Sequence, residues 1–335
     1  MKEKLMKEKF RLKITGPTMI CIAVILFFSI FAENFLSASN AVNIIRQACV
    51  LALVAFGQTF VILIQGFDLS VGAVMGLTSC ITALLMVKGM ALPLVAVILA
   101  VMVATFCGFI NGFITNYMGL NPFISTFGMW GMALGIALVI TDERVIFGFP
   151  DTLRVFHDGE FLGIPFPLII VIIIWGILQF FLKSTPYGIA TYAIGGNPVA
   201  AELSGIPVRF QKMMIYTFSG LMAGLAGIMF LARSNAAQAV DPIGYEFDSI
   251  VAVVVGGTSL LGGKGGVTQT LIGVLLIASV RNGLNIMGVN SYLQLVFVGI
   301  ILILAYLAES QTSTLSGNPI QNLWKKLFGT GADNG

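Results

Sequence analysis

The string "GGTSLLGGKGG", residues 256–266, comes nearest to a reactive-site motif in this chain. A phosphate-binding loop needs G-x-x-x-x-G-K-[ST] after a strand, because backbone N–H groups cradle the phosphates and the hydroxyl holds the metal. Here Thr258 stands where the first glycine belongs, and Gly265 follows Lys264 in place of Ser or Thr. The chain therefore shows no ATP-binding motif of its own. Its single histidine, His157, sits in a polar stretch without metal-ligand spacing. A triad built on it would stand at a membrane surface, so an embedded enzyme is a poor reading. Cys21, Cys49, Cys80 and Cys107 lie in or beside apolar runs and lack metal-like pairing, so they read as small packing residues.

Asp68 and Arg281 are the main ionisable residues inside or beside the apolar runs, where such groups are expensive and default to function. Asp68 stands just before Ser70, as a helix N-cap would, with its charge at the positive helix end. Capping and solute contact both remain open for it. Arg281 carries an insertion cost of about 2.5–3.5 kcal/mol. It must reach a carboxylate, snorkel to an interface or meet solute. It lies about six residues, or roughly 9 Å, from the outer end of its run, and Asp241, Glu246 and Asp248 are its candidate partners. The other polar groups in the runs are neutral: Gln58, Thr59, Gln65, Asn111, Asn121, Phe127 and Trp130 as aromatics, Asn282, Asn285 and Gln294. They suit a neutral, hydroxyl-rich solute better than an ion.

The elements that position these residues follow from composition. Of 335 residues 57% are hydrophobic and 10% charged, against about 25% charged in soluble domains. Ten apolar runs, at 17–33, 47–65, 70–87, 91–116, 122–141, 167–183, 213–232, 248–262, 267–287 and 291–308, approach the ~20 residues that cross a bilayer as helix. Backbone in lipid must bond internally, and runs this long mean helices rather than barrel strands. The expected fold is thus an all-α polytopic membrane protein of about ten transmembrane helices. It divides into a basic N-terminus (1–16), one membrane domain (17–308) with a polar loop at 184–212, and a tail (309–335).

Basic residues mark the cytoplasmic side. Lys2, Lys4, Lys7, Lys9, Arg11 and Lys13 precede the first run; Lys183, Arg209 and Lys212 flank the middle loop; Lys325 and Lys326 are in the tail. Ten spans put all three groups, and Lys264, on one side. They put the loop 142–166 outside, where Asp142, Glu143, Asp151, Asp158 and Glu160 outnumber Arg144 and Arg154. The basic balance is topological and gives no reason to expect nucleic acid. The first run has the flank of a signal peptide, with "SAS" at 37–39 as a weak cleavage site, but it reads as a retained anchor.

Many of the 38 glycines lie inside the runs. Glycine allows close helix packing in lipid and permits broken helices, which are tolerated only where they line a cavity or pack on protein. Transporters place such breaks on the substrate path. The candidates are "QGFDLSVG" (65–72) and "GGTSLLGG" (256–263). The two regions are alike: "GFDLSVGAVMGLTS" (66–79) and "EFDSIVAVVVGGTS" (246–259) share seven of fourteen residues at an offset of 180. The span count has the first entering from inside and the second from outside, as two inverted halves require.

The segments "GFDLSVG", "NPFISTFGMWG", "AIGGNPVAAELSGI", "YEFDSIVAVVVGGTSLLGGKG" and "NGLNIMGVNSYLQ", in this order across about 40–308, resemble the motifs of ribose-type permeases of bacterial ATP-binding-cassette importers. The resemblance implies a half-pore in the bacterial inner membrane with both termini cytoplasmic. It implies a second permease subunit, cytoplasmic ATPase subunits that bind the ATP and Mg, and a periplasmic sugar-binding protein. It makes Gly195–Val208 the segment that couples to the ATPase. The residues agree. Asn197 and Pro198 suit a cap and first helical position, Ala200, Ala201, Glu202 and Leu203 a short helix, and Gly205 its end. Gly196 precedes the cap, and Glu202 offers a charge handle. Gln65, Asp68, Ser70, Asn121, Phe127, Thr258, Ser259 and Asn282 are the pathway candidates. One departure stands out: the family tends to have an uncharged polar residue before "NGLN", where this chain has Arg281, which weakens any claim for ribose itself. A stand-alone secondary transporter would also have ten spans and inverted halves, but would not explain a capped helix in the cytoplasmic loop.

Overall fold

The computed structural model describes residues 16–290, 293–301 and 303. The basic N-terminus and the C-terminal tail lie outside the described residues. Helices dominate: α1 Gly16–Phe31, α2 Ala38–Leu63, α3 Val71–Val87, α4 Pro93–Tyr117, α5 Pro122–Thr141, α6 Val155–Asp158, α7 Phe166–Ser184, α8 Pro186–Gly196, α9 Pro198–Leu203, α10 Val208–Ser234, α11 Tyr245–Gly256 and α12 Val267–Ile286. Residues 293–301 are helical again. Among the described residues six helices, α2, α4, α5, α7, α10 and α12, are long and apolar enough to cross a membrane. The expected polytopic all-α fold stands at that level. One small addition interrupts it: in the loop 142–166, Glu160–Phe161 (β1) pairs antiparallel with Ile164–Pro165 (β2). Leu162 and Gly163 between them both have positive φ, 53° and 77°, as a two-residue hairpin demands.

Helix starts follow local chemistry. The side chains of Ser37, Asn121, Thr185 and Asn197 each accept a backbone N–H in the first turn of the helix that follows, and in three of these Pro takes the first position, where its missing N–H costs nothing. Burial separates the helices. Helices α2, α10 and α12 lie mostly inside, whereas α4, α5 and α7 turn large apolar side chains outward. That exposure is expected where lipid or another subunit is the solvent. Helices α4 and α10 cross at Gly108 and Gly220, where a β-carbon on Gly108 would lie 2.9 Å from the Gly220 Cα. Only glycine permits that approach.

Contacts sort the loops into two ends. At one end Arg46 meets Glu160 at 3.3 Å, Ile146 and Ala237 exchange backbone bonds of 3.0 Å, and Asn40 donates to Asn282 at 2.9 Å. At the other, Gln65 bonds Gly195 and Leu261. One expectation needs correction. The run 248–262 is not one helix, because α11 starts at Tyr245 and stops at Gly256. Gly257 adopts φ 106° and its N–H bonds the Val253 and Val254 carbonyls, so the chain leaves the helix and runs irregularly from 257 to 266. The other expected break, first in the chain, also exists, over 64–70 between α2 and α3.

Candidate functional site

The first break buries its carboxylate completely. Asp68 is 1% exposed. Its Oδ1 accepts from the Ser70 N–H at 3.0 Å and the Ser70 hydroxyl at 2.6 Å. Its Oδ2 accepts from the Ser219 hydroxyl on α10 at 2.8 Å. Asn111 on α4 donates to Ser70 Oγ at 2.9 Å, and the Tyr216 hydroxyl donates to the Phe67 carbonyl at 3.3 Å. Of the two readings open for Asp68, the N-cap does not hold. Ser70 holds that position and makes no side-chain cap bond, while Asp68 braces the entry by bonding two residues ahead. Ser219, Asn111 and Tyr216 were invisible as partners in the sequence, since they lie 41 to 151 residues away. Both amide atoms of Gln58, and Asn111 Oδ1, are buried without a partner among the described residues, which a protein ordinarily avoids because such groups cost free energy.

The second break closes on itself and on the first. The Thr258 hydroxyl accepts from the Gly266 N–H at 3.1 Å, the Ser259 N–H donates to the Lys264 carbonyl at 3.0 Å, and Ser259 Oγ accepts from the Leu261 N–H at 3.2 Å. The Gly263 N–H donates to the Leu63 carbonyl at 3.0 Å, capping the last turn of α2. Gln65 completes the junction: its Nε2 donates to the Gly195 carbonyl at 2.9 Å and the Leu261 carbonyl at 3.0 Å.

The remaining pathway candidates lie elsewhere. Asn121 is exposed and its Oδ1 caps α5 through the Phe123 N–H at 2.9 Å. Phe127, 54% exposed, stacks between Phe123 and Trp130 on the open face of α5. Asn282 sits at the opposite end, with Asn40. The eight thus gather in two groups, Asp68 with Ser70 and Gln65 with Thr258 and Ser259, plus three separate positions. None lines the apolar groove between α4 and α10 that Val97, Val101, Phe109, Thr217 and Leu221 border. Arg281 takes the carboxylate partner expected of it: Nη2 donates to Asp248 Oδ1 at 2.7 Å, and Nε lies 2.7 Å from Oδ2. Asp241 and Glu246 do not serve. Glu246 accepts from the Gly244 N–H at 3.0 Å and packs so close to Gly72 that a β-carbon there would overlap its carboxylate. His157 pairs with Asp158 at 2.8 Å, and no group of ligating side chains suits a metal among the described residues.

The short helix in the middle loop has the expected ends. Asn197 Oδ1 accepts from the N–H groups of Val199 and Ala200, both at 3.0 Å. At the far end the Ile206 N–H reaches the Ala201 carbonyl at 3.1 Å and the Gly205 N–H the Glu202 carbonyl at 2.9 Å, with Gly205 at φ 83°. That is the paired-bond ending glycine makes possible. Ala201 is buried, whereas Leu203 is 85% and Val199 66% exposed. The arrangement is a short capped knob with an apolar tip.

Comparison with known proteins places this geometry. The family described as branched-chain amino acid transport system / permease component matches residues 40–306. Ribose import permease protein RbsC of Bacillus subtilis (strain 168) is 42% identical over 300 residues, 89% of this chain and 93% of the relative. D-allose transport system permease protein AlsC of Escherichia coli (strain K12) is 40% identical over 85% of this chain and 88% of its own length. Probable ABC transporter permease protein YphD of the same strain is 35% identical over 87% and 88%. No solved structure matches. The resemblance to ribose-type permeases that the motifs carried is thus borne out by relatives bearing that name, and the chain belongs to the permease-component family of membrane transport systems, a transport subunit rather than a catalyst.

Proposed function

We propose that this chain is the membrane subunit of an ATP-binding-cassette importer and forms half of the path for a monosaccharide. The observation that carries the reading is the helix Pro198–Leu203, capped at both ends by its own sequence and holding Val199, Glu202 and Leu203 outward. A six-residue helix is too short to persist on local bonds alone. Its exposed apolar tip gains by entering a cleft of another protein, and we assign that cleft to a cytoplasmic ATPase subunit. ATP and Mg then belong to the partner. A second permease subunit, identical or related, would cover the open face of α5 that carries Phe127, and a periplasmic binding protein would deliver the solute.

The location is the bacterial inner membrane with both termini cytoplasmic. About ten spans in two inverted halves fit the two-ended sorting of loops, in which Gln65, Gly195 and Leu261 share the inner end. A sugar rather than an amino acid is favoured by the names of the ribose and allose relatives and by the neutral polar groups of the runs. Pathway roles for Asp68, Ser70, Asn121, Phe127, Thr258, Ser259 and Asn282 rest on this reading, with Gln65 shaping the path through its bonds to the backbone rather than by touching solute.

Uptake by proteoliposomes holding the whole complex tests it. ATP-dependent accumulation of D-ribose, D-allose or a related sugar is expected, and it should vanish without the ATPase subunit. Glu202→Lys should lose the ATPase on copurification while the permease stays folded. Uptake that persists without ATP or ATPase would make the chain a stand-alone carrier.

A further inference from the structure

Gln65 joins three segments that are far apart in the chain, and it does so at a strained position. It stands just past the end of α2 with φ 63°, where the Gly66 N–H bonds back to the Val61 carbonyl at 2.9 Å. Glycine serves this ending with least strain, and a residue with a β-carbon pays a penalty for a left-handed backbone. The side chain is exposed, so it does not fill a core. What it does is donate from one amide nitrogen to two backbone carbonyls, Gly195 O and Leu261 O. Both partners are acceptors, so only the amide NH2 can face them.

The surroundings leave the joined segments little independence. A β-carbon on Gly195 would overlap the Leu63 carbonyl oxygen, so α8 ends directly against the end of α2. The Leu63 carbonyl itself accepts from Gly263, and the Tyr192 hydroxyl on α8 donates to the Gly265 carbonyl at 2.8 Å. Gly195 stands two residues before the cap of α9, and Gly266 opens α12. We propose that Gln65 is a positioning residue: it locks the docking segment Gly195–Val208 to the loop Gly257–Gly266, so that motion of α9 moves that loop and the start of α12 as one body. This rests on the reading of α9 as the ATPase-docking helix.

The test uses the complete complex in proteoliposomes, with ribose or allose, whichever the wild type accumulates. Gln65→Gly supplies the residue this backbone prefers and deletes the link. Gln65→Asn tolerates the same backbone but is one methylene too short to reach both carbonyls. Both variants should fold and retain the ATPase on copurification, while sugar imported per ATP hydrolysed falls about tenfold, the factor for losing one to two net hydrogen bonds. Wild-type stoichiometry in both variants overturns the proposal. So does a raised KM for sugar at unchanged stoichiometry, which would make Gln65 a solute contact, and so does failure of both variants to fold, which would make it structural. Glu202→Lys separates the two levels. If it sheds the ATPase while the Gln65 variants stay coupled, only the Gln65 proposal fails. If it remains assembled and coupled, the docking reading fails and takes the Gln65 proposal with it.

Discussion

The stretches 66–79 and 246–259 share half of their residues and are built differently. Moved by their 180-residue offset, α11 would run from position 65 to position 76, whereas α3 runs from 71 to 87. Asp68 therefore precedes its helix, and Asp248 lies within the first turns of one. Thr78 and Ser79 sit mid-helix and return their hydroxyls to the Val74 and Met75 carbonyls at 2.7 and 3.0 Å. Thr258 and Ser259 are in the loop and pin its turns. The residue that decides is the one between matches: Leu77 continues its helix, while Gly257 takes φ 106° and ends it. Shared letters also hide opposite electrostatics, since Asp68 is held by hydroxyls and Asp248 by a guanidinium. What the stretches do share is close backbone approach. A β-carbon on Gly76 would overlap the Ala239 carbonyl, and one on Gly256 the Gln269 carbonyl.

The electrostatic half of the contrast breaks most severely. Arg281→Gln leaves Asp248, 3% exposed on its side chain, without its cation, and loss of one partner of a buried pair costs about 3–5 kcal/mol. Thermal unfolding of the purified subunit should show a large drop, and Asp248→Asn in the same chain should restore most of it. A Gln variant that keeps its melting temperature yet loses uptake would make Arg281 a solute contact instead. Next, Gly257→Leu writes the first stretch into the second. A non-glycine residue at this backbone costs about 1–3 kcal/mol, and transport should fall further than stability because the loop carries Thr258 and Ser259.

Asp68→Asn sharpens the same contrast from the other side. The oxygen that remains still accepts, so the change should cost about 1–3 kcal/mol, the scale of one buried donor left unsatisfied, clearly less than Arg281→Gln in the same melting assay. Equal losses would mean that Asp68 has a cationic partner outside this chain. The smallest effect belongs to Thr78→Val, which removes only a hydroxyl returned to its own helix; a change within about 1 kcal/mol is expected, whereas Thr258→Val should lower uptake by opening the turn at Gly266.

Much of the site was legible where bonding is local. The short helix Pro198–Leu203 could be read in full from Asn197, Pro198 and Gly205, because a cap joins residues two or three apart and the terminal turn joins residues a few apart. A carboxylate partner is one of three readings open for Arg281, and Asp248 is among the three partners named. The N-cap, one of two readings open for Asp68, falls two residues on at Ser70, since the backbone path through a helix break depends on the helices packed around it. The run 248–262 reads as one span because Val251, Val253, Val254 and Val255 before Gly256 and Leu260 and Leu261 after it are all apolar, although the glycine cluster 256–263 already marks a break there.

By itself the sequence determined that the chain is a bundle of membrane-crossing helices, that residues 256–266 fail the phosphate-loop pattern, where the short helix of the middle loop begins and ends, and which family it resembles. Each of these depends on composition or on bonds between near neighbours in the chain. Only the tertiary structure decided that Asp248 rather than Asp241 or Glu246 meets Arg281, that Ser219 closes the cluster at Asp68, and that Gln65 ties the end of α8 at Gly195 to the loop after α11. Those partners lie 33 to 196 residues apart. They meet through the crossing of helices whose apolar surfaces are written in nearly interchangeable Val, Leu, Ile and Ala, so the choice among crossings rests on shape, at glycine contacts such as Gly108 with Gly220, and not on any local pattern of residues.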